Sequence, residues 1–377
     1  MDERIDAVQR RIAGRAEIIT MAGGFPAAEL FPREELTRAF EQSLSARGDP
    51  ALQYGWPEGS GALRSWVAAR LRARGAPIDA SDVVITSGAQ QAIAIASEIL
   101  LARGDAVLVD EQTYPAALDL FRMRGAIPVC DARDGRVRAH YVMPGVSNPR
   151  GTGQSPVGHA RVLSRGLPFI ADEAYAELRF RGVERPLIAD ARDRAWHIGT
   201  FSKTLAPGLR VGYLIPPPPD RARALEIKRA ADLQAPSMSQ AVLEAFLRID
   251  DFDARLAHAR RFYEARAGLM ATAIRRFLPS GHFATPEGGF SIFVETEATG
   301  DDAAFLALAA EEGVSFDPGS QFHTLLVGAR LSFRLCFSAL DPGLYDEAIR
   351  RLARALARWA RCGVRETTNG CGPVGTG

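Results

Sequence analysis

The sequence predicts an α/β fold in which a mostly parallel sheet forms a large domain, with a smaller α+β domain beside it. Between about residues 82 and 216, apolar runs of strand length alternate with segments of helical pattern. Strands that alternate with helices indicate a parallel sheet covered on both faces. The pattern changes near His282, and 377 residues are enough for about two domains.

The elements of the large domain are predicted at short intervals along the chain. We expect strands at residues 83–86, 106–109, 127–130, 139–143, 168–171, 196–201 and 210–215, and helices at 90–102 and 115–124. Each strand is apolar and bounded by Gly, Pro or Asp, which favour turns. The prolines from 216 to 219 end this pattern, and long amphipathic helices follow to about Phe277.

A smaller domain is predicted from the C-terminal part of the chain. Strands are expected near residues 290–295 and 332–337, and a final helix over 345–360. The predicted division is an N-terminal segment 1–45 that contributes to the small domain, a large domain 46–275, a small C-terminal domain 276–365, and a flexible tail 366–377.

The composition excludes several classes of protein. Hydrophobic residues make up 47% of the chain, which excludes a wholly disordered protein, and the formal charge of +1 provides no basic excess for a nucleic acid partner. The charged N-terminus lacks the apolar core of a signal peptide, and no stretch reaches the ~18 apolar residues of a spanning helix. We therefore expect a soluble, cytoplasmic protein with no membrane partner.

The cysteines indicate neither a disulfide framework nor a metal site. The chain has four cysteines, which are scattered and form no CxxC pair. They are Cys130, Cys336, Cys362 and Cys371. The sequence therefore predicts incidental or buried thiols and no bound metal.

Arginine has almost wholly replaced lysine, which makes the remaining lysines informative. Among 46 Lys and Arg residues, lysine occurs only at positions 203 and 228. Arginine supplies surface charge but stays protonated, whereas lysine can act as an amine nucleophile. Lys228 lies in a charged helical stretch and is interpreted as incidental. Lys203 lies among Ser, Thr, Gly and Arg, which argues against a surface lysine in a turn.

Polar residues follow several predicted strands, at the edge where an open parallel sheet holds its ligand crevice. The run Ser87-Gly88-Ala89-Gln90 leads from a strand into a helix, and free backbone N–H groups at such a helix start suit a phosphate. By itself this is a weak signal. Other strand ends carry Asn148, Asp172 with Tyr175, and Ser202 with Lys203.

The segment around Lys203 carries the most specific signal. A lysine in a small, partly dry pocket can form an imine with an aldehyde cofactor. Hydroxyl and guanidinium groups suited to a dianionic phosphate stand nearby, on Thr200, Ser202 and Arg210. A buried Asp172 would need a cationic partner, such as a protonated pyridine nitrogen. Taken alone, Asp172 fits a helix cap or a turn equally well.

With these residues in place, the chain resembles the fold-type-I aminotransferases of the class I/II superfamily, which depend on pyridoxal 5′-phosphate (PLP). It is most similar to the 2-aminoadipate and aromatic aminotransferase group, whose domain also occurs in MocR-type regulators. The resemblance runs from about residue 18 to 360. Its motifs are Met21-Ala-Gly-Gly-Phe-Pro, Leu52-Gln-Tyr-Gly-Trp-Pro, Thr86-Ser-Gly-Ala-Gln-Gln, Ser147-Asn-Pro, Ala171-Asp-Glu-Ala-Tyr, Phe201-Ser-Lys, Pro207-Gly-Leu-Arg, Pro318-Gly-Ser-Gln-Phe and Arg334-Leu-Cys-Phe-Ser.

The resemblance implies a type I fold with a seven-stranded sheet and a role for each motif residue. Lys203 would hold PLP as the internal aldimine and then shuttle a proton between Cα and C4′. Asp172 would keep the pyridine nitrogen protonated. Asn148 and Tyr175 would hydrogen-bond the phenolic oxygen, and Tyr114 would stack on the ring.

The resemblance also implies binding sites for the phosphate and the substrate. The phosphate would be held by Ser87, Gly88, Ala89, Gln90, Thr200, Ser202 and Arg210, joined by Tyr54 of a neighbouring subunit. Arg334 would bind the substrate α-carboxylate with help from Asn148, and Gly23 and Gly24 would let the backbone approach the substrate.

Other interpretations of these residues remain open. Arg334 could point to solvent from an alternating strand, Tyr114 could be a turn residue, and Tyr54 could equally be a core aromatic. His197 is interpreted as a packed core histidine. Arg150 departs from the family pattern and would either favour an acidic substrate side chain or point outward, the interpretation we favour.

The function implied by the resemblance is transfer of an amino group from an α-amino acid to a 2-oxo acid through pyridoxamine phosphate, in a homodimer. A lyase or decarboxylase on the same fold is the alternative, because the same electron sink stabilises several carbanions. A ligand-sensing PLP module is a remote alternative, since only 22 residues precede Gly23 and a winged helix needs more.

Overall fold

The computed structural model describes residues 3–45, 49–182, 185–324 and 330–368, without the side chains of residues 362–368. Its helices are α1 (Glu3–Ile12), α2 (Arg33–Leu44), α3 (Gly61–Ala73), α4 (Ala89–Leu100), α5 (Pro115–Met123), α6 (Pro156–Ser164), α7 (Arg221–Asp232), α8 (Ser237–Ile249), α9 (Phe252–Phe277), α10 (Asp302–Glu311) and α11 (Tyr345–Thr368). Its strands are β1 (Ile19–Thr20), β2 (Val84–Thr86), β3 (Ala106–Leu108), β4 (Ile127–Val129), β5 (Val137–Val142), β6 (Phe169–Asp172), β7 (Ala195–Thr200), β8 (Gly212–Ile215), β9 (Ser291–Thr299), β10 (Val314–Ser315), β11 (Asp317–Pro318) and β12 (Arg330–Cys336).

The large sheet has seven strands in the order β2-β8-β7-β6-β5-β3-β4. Strand β8 runs antiparallel to both of its neighbours, and the other neighbouring pairs are parallel. The predicted α/β fold with a mostly parallel sheet is therefore confirmed. Each predicted strand of this region is present within two or three residues of its expected bounds.

Both faces of this sheet are buried, which explains why its strands are apolar throughout rather than alternating. Along β6, Phe169 and Ala171 pack into one hydrophobic cluster and Ile170 into another on the opposite face. In β7, Trp196 and Ile198 are fully buried on the same face as Ile170. Helices cover each cluster, so the sheet is the middle layer of the fold.

A second sheet gathers residues from the C-terminal part of the chain. It is antiparallel with the order β11-β12-β9, and a separate parallel pair joins β1 to β10. The N-terminal segment thereby packs on the C-terminal part, where the Cys336 amide donates to the Met21 carbonyl at 2.8 Å. The domain boundaries at 45/46 and 275/276 remain predictions; α9 continues through the second one to Phe277.

The last helix is longer than the sequence pattern indicates. It was expected over 345–360, with a flexible tail from 366, whereas α11 continues to Thr368. The remaining residues of the predicted tail, 369–377, lie outside the described residues. None of the described helices is both long enough and apolar enough to cross a membrane.

The direction of the strands brings the polar residues to one edge of the large sheet. Parallel strands β2, β6 and β7 end there at Thr86, Asp172 and Thr200. Because β8 runs the opposite way, it begins at this edge with Gly212, and Arg210 lies just before it. The reversed direction of β8 thus places the cation Arg210 at the edge where the parallel strands end.

Glycine is required where β8 crosses the start of α4. A Cβ on Gly212 would lie 2.7 Å from the Gly88 carbonyl carbon and 2.9 Å from the Ala89 nitrogen. We expect Gly212→Ala to lower the free energy of unfolding by about 1–3 kcal/mol, the usual cost of overpacking. Urea unfolding measures the change.

Gly208 provides the matched control, because a Cβ there would meet nothing within 4 Å. Gly208→Ala should leave the unfolding midpoint close to that of the wild type. Equal midpoints for the two variants would contradict the packing argument.

Candidate active site

A cavity lies at this edge of the large sheet and gathers most of the predicted site residues. It is lined by Ala89, Gln90, Tyr114, Met143, Val146, Asn148, Asp172, Ala174, Tyr175, Thr200, Ser202, Lys203, Pro207 and Arg210. Six of the predicted residues do not line it: Gly23, Gly24, Tyr54, Ser87, Gly88 and Arg334.

Lys203 projects among aromatic rings where β7 ends. Its Nζ lies 5.3 Å from the ring centroid of Tyr175 and 6.0 Å from that of Phe290. Lys203 also lines a second cavity, which residues 26–35 and α9 enclose. Lys203 is therefore shared by the linings of the two cavities.

Asp172 is a buried carboxylate that receives only neutral donors in the described contacts. The Tyr141 hydroxyl donates to its Oδ2 at 2.8 Å, and the Ala174 amide donates to its Oδ1 at 3.1 Å. Burial raises the pKa of Asp172, although these hydrogen bonds and the charge of Lys203 oppose the shift. A cation placed against this carboxylate would relieve the cost of its burial.

Tyr141 holds Asp172 in place, and the sequence pattern did not indicate this role. The residue lies on β5 and is completely buried. Its position directly opposite Ile170 in the neighbouring strand β6 brings its hydroxyl within reach of Asp172. A tyrosine inside a buried parallel strand requires a hydrogen-bond partner, and this requirement was the available signal.

Arg210 and neighbouring hydroxyls form a polar end of the cavity. Arg210 adopts a left-handed backbone conformation, with φ of 54°, which is uncommon for a side chain of this size. Its Nη1 lies 3.4 Å from Ser202 Oγ, which also accepts from Thr200 Oγ1 at 3.0 Å. A Cβ on Gly88 would lie 2.6 Å from Arg210 Nη2, so glycine lets the guanidinium reach the start of α4.

Ser87 does not face this cavity. Its backbone amide donates to Gln91 Oε1 at 2.8 Å, and its hydroxyl donates to Asp232 Oδ2 at 3.1 Å. A hydroxyl has one proton, so the Ser87 hydroxyl has none left for a phosphate in this arrangement. Ala89 and Gln90 begin α4 and line the cavity, and the first N–H groups of a helix have no partner within the helix.

The interpretation of Lys228 as an incidental lysine is wrong. Lys228 is completely buried, and its Nζ donates to both carboxylate oxygens of Asp232, at 2.8 and 3.1 Å. Burial lowers the pKa of Lys228, and the bond to Asp232 opposes that shift. Since Asp232 also accepts from Ser87 and Gln91, the ion pair of the buried Lys228 with the partly exposed Asp232 links α7 to the turn before α4.

Arg334 is buried rather than directed to solvent. Its Nη1 donates to Asn148 Oδ1 at 2.9 Å, and this bond leaves the Asn148 amide protons available to the cavity. Gly24, with φ of +60°, lies against it, since a Cβ there would be 3.4 Å from both terminal guanidinium nitrogens. Arg334 also pairs with Asp317, a residue that the sequence pattern did not indicate.

The surroundings of three other residues decide between the interpretations that the sequence left open. Tyr54 is 79% exposed, so its interpretation as a core aromatic is wrong. Arg150 bonds to Gln112 at 2.7 Å and lies 3.6 Å from Glu295, and it does not line the cavity with Lys203. His197 is completely buried.

Fold and site together define a PLP-binding enzyme, and comparison with known proteins identifies its family. The model of the family "Aminotransferase class I and II" matches residues 21–134 and 138–352. The chain therefore belongs to the class I and II aminotransferases and is a PLP-dependent aminotransferase.

Two curated relatives have similar length and sequence. The 2-aminoadipate transaminase of Thermus thermophilus is 32% identical, over 92% of this chain and 92% of its own length. The aromatic-amino-acid aminotransferase 1 of Thermococcus litoralis is 30% identical, over 92% of this chain and 89% of its own length.

Solved structures agree with these relatives. The α-aminoadipate aminotransferase of Thermus thermophilus, in complex with N-(5′-phosphopyridoxyl)-L-leucine, has a TM-score of 0.85 and 31% identity, covering 96% of this chain and 97% of that one. The kynurenine aminotransferase of Pyrococcus horikoshii has a TM-score of 0.86 and 28% identity, with 94% of each chain covered.

The residues of the cavity fit PLP. The buried Asp172 carboxylate suits a protonated ring nitrogen, and the cradle of Gly88, Arg210 and the first amides of α4 suits a phosphate. PLP supplies an aldehyde that condenses with amines and a pyridinium ring that accepts electrons.

The ion pair beneath the turn leads to a prediction about cofactor affinity. Lys228→Met removes the cation beside Asp232, whose side chain is 23% exposed, so Asp232 keeps only the neutral donors Ser87 and Gln91. We expect the turn before α4 to shift and the Kd for PLP to rise at least about tenfold. Spectroscopic titration of the apoprotein with PLP measures this Kd.

The exposed pair of Arg223 and Glu226 on the same helix is the control. Glu226→Gln removes a charge from α7 without touching the turn and should leave the Kd unchanged. A wild-type Kd in Lys228→Met would show that the ion pair does not support the cofactor site.

Proposed function

We propose that Lys203 is the amine that joins the cofactor and carries the proton of the transfer reaction. Its Nζ would accept the proton from the substrate Cα and return it at C4′ of PLP. The observation that carries the proposal is the convergence of Lys203, Asp172 and Arg210 on one cavity. The rings of Tyr175 and Phe290 lie 5.3 and 6.0 Å from the Lys203 Nζ and form an apolar side of its surroundings.

The remaining cavity residues orient the ring in this proposal. Asp172, held by Tyr141, would keep the ring nitrogen protonated. Asn148 and Tyr175 would donate to the phenolic oxygen, because Arg334 fixes the Asn148 amide with its protons free. Burial raises the pKa of Tyr114 to about 12, so it stays neutral where it lines the cavity and can stack on the ring.

The phosphate would bind between α4 and β8. The donors are the amides of Ala89 and Gln90, the hydroxyl of Ser202 and the guanidinium of Arg210. Thr200 would donate to the phosphate only after its hydroxyl turns away from Ser202. Gly88 contributes the space that Arg210 needs. Ser87 would join them only after its hydroxyl turns away from Asp232.

The substrate would be an α-amino acid whose α-carboxylate binds Arg334, beside Asn148, Gly23 and Gly24. Arg334 suits this task because it is buried and its planar guanidinium matches a carboxylate. The names of the relatives point to 2-aminoadipate and aromatic amino acids as donors. We propose these as donors and 2-oxoglutarate as acceptor.

A donor panel tests this function directly. The purified protein with PLP and 2-oxoglutarate should form glutamate from 2-aminoadipate, phenylalanine, tyrosine or kynurenine. Lys203→Ala should lower the rate at least about 10³-fold, as expected for loss of an acid–base group. Release of ammonia or CO₂ from these donors without glutamate formation would contradict the proposal.

We also propose that the enzyme is a cytoplasmic homodimer in which Tyr54 completes the partner's site. Leu52, Tyr54 and Trp56 are 67%, 79% and 80% exposed, and such a cluster of large apolar side chains marks an interaction surface. A second copy of the chain would cover them and bring the Tyr54 hydroxyl to the phosphate. The described thiols of Cys130 and Cys336 are free, which suits the reducing cytoplasm.

Subunit mixing tests the role of Tyr54 across the interface. Lys203→Ala and Tyr54→Ala are prepared separately, then unfolded together and refolded as a mixture. If Tyr54 acts on the partner, one site of each mixed dimer has both residues intact, and about a quarter of the wild-type activity should return. The assay uses limiting PLP, so that the Tyr54 variant alone is weak.

Refolded wild-type protein gives the reference yield, and each variant refolded alone gives the background. Activity that never rises above the sum of the two variants would place Tyr54 outside the partner's site.

A further inference from the structure

Asp317 accepts four hydrogen bonds on one carboxylate oxygen beside the active site. It lies on β11 directly opposite Arg334 in the antiparallel pairing with β12. Its Oδ2 accepts from the Arg334 Nε at 3.0 Å, the Arg334 Nη2 at 2.7 Å and the Gly23 amide at 3.0 Å. The Cys336 thiol, 3.8 Å away, also donates to this oxygen, since burial raises the pKa of Cys336 to about 12 and keeps it protonated.

These contacts leave one defined part of the guanidinium free. Of its five N–H groups, Asp317 takes one on Nε and one on Nη2, and Asn148 takes one on Nη1. One N–H remains on each terminal nitrogen, which matches the two oxygens of a carboxylate. The ring of Phe322 covers one face of the guanidinium at 4.7 Å. Arg334 is therefore oriented before a substrate binds.

The same contacts also neutralise Arg334. The side chains of Arg334 and Asp317 are only 11% and 10% exposed, so water screens their charges little. Before binding, the pair carries no net charge. A substrate carboxylate on the free N–H groups would place a second anion on the same guanidinium, and the two anions would repel each other at close range.

We propose that Asp317 is a built-in counter-ion of the α-carboxylate subsite, which orients Arg334 and weakens its hold on the substrate. The inference rests on the proposed function of Arg334. The α-carboxylate is present in the donor, in the acceptor and in both products, so its binding is uniform along the reaction. Tight uniform binding would slow product release, and the charge of Asp317 limits it.

Asp317→Asn removes the negative charge of the side chain and keeps its shape. All four contacts fall on Oδ2, so an asparagine oxygen at the same place accepts from the same donors. A residue needed only for structure would weaken ligand binding when replaced. A counter-ion that repels the ligand would strengthen it. The sign of the change therefore distinguishes the two roles.

The experiment measures the Kd of 4-methylpentanoate, an unreactive monocarboxylate, by calorimetry on the PLP-loaded protein. In Asp317→Asn we expect this Kd to fall at least about tenfold, and the KM values of the amino donor and the oxo acid to fall by a similar factor without a rise in kcat. The neutral 4-methylpentanamide should bind both proteins equally, because it carries no charge for Asp317 to repel.

Matched variants separate the possible failures. Glu297→Gln removes the partner of Arg330, an exposed ion pair between β9 and β12 of the same sheet, and should change nothing. Arg334→Gln should raise the Kd of the carboxylate strongly. If Arg334→Gln has no effect, the proposed role of Arg334 fails and the inference fails with it. If Arg334→Gln weakens binding but Asp317→Asn leaves it unchanged or weakens it, only the inference is overturned.

A second variant covers the case in which Asp317→Asn does not fold. Asp317→Ser is also neutral, and its hydroxyl can accept with a bound water in the space left by the carboxylate. PLP absorbance per chain establishes that each variant is loaded. Tighter carboxylate binding in Asp317→Ser supports the counter-ion role, and unchanged or weaker binding overturns it.

Discussion

Burial of charge next to the carboxyl edge of the large sheet is the constraint on which the site depends. A charge removed from water is costly unless it is paired or hydrogen-bonded. Arg334 is paired with Asp317 and Lys228 with Asp232, whereas Asp172 has only the neutral Tyr141 hydroxyl and a backbone amide. In the described structure Arg334 and Lys228 thus have charged protein partners. Asp172 does not, and its carboxylate is suited to a cationic cofactor ring.

The reversed strand β8 explains how one edge of the sheet brings the proposed covalent site and the proposed phosphate site together. Lys203 follows the carboxyl end of β7, and Arg210 precedes β8, so the turn between these antiparallel neighbours carries both cations. Arg210 reaches the start of α4 because Gly88 and Gly212 keep the backbones close. The left-handed conformation of Arg210 is the local strain that this arrangement requires.

Local sequence patterns predicted the strands, the sheet class and the residues that follow strand ends, because these depend on short apolar runs and turn residues. Tyr141, Asp317 and Asp232 escaped prediction, since each acts through a partner more than 15 positions away or on another element. Ser87 shows the same limit. The pattern marks its turn correctly, but the direction of its hydroxyl is set by Asp232, which lies 145 positions away.

The two lysines of the chain are retained for different physical reasons. The role proposed for Lys203 requires an amine that can lose its proton, which a guanidinium does not do. Lys228 needs a compact donor, because its buried Nζ reaches both oxygens of one carboxylate within its own helix. A guanidinium is larger and planar, and it would have to find partners for its further N–H groups in a space that is fully closed. The two remaining lysines therefore lie where arginine would not serve: one supports the turn before α4, and the other is the amine proposed to react.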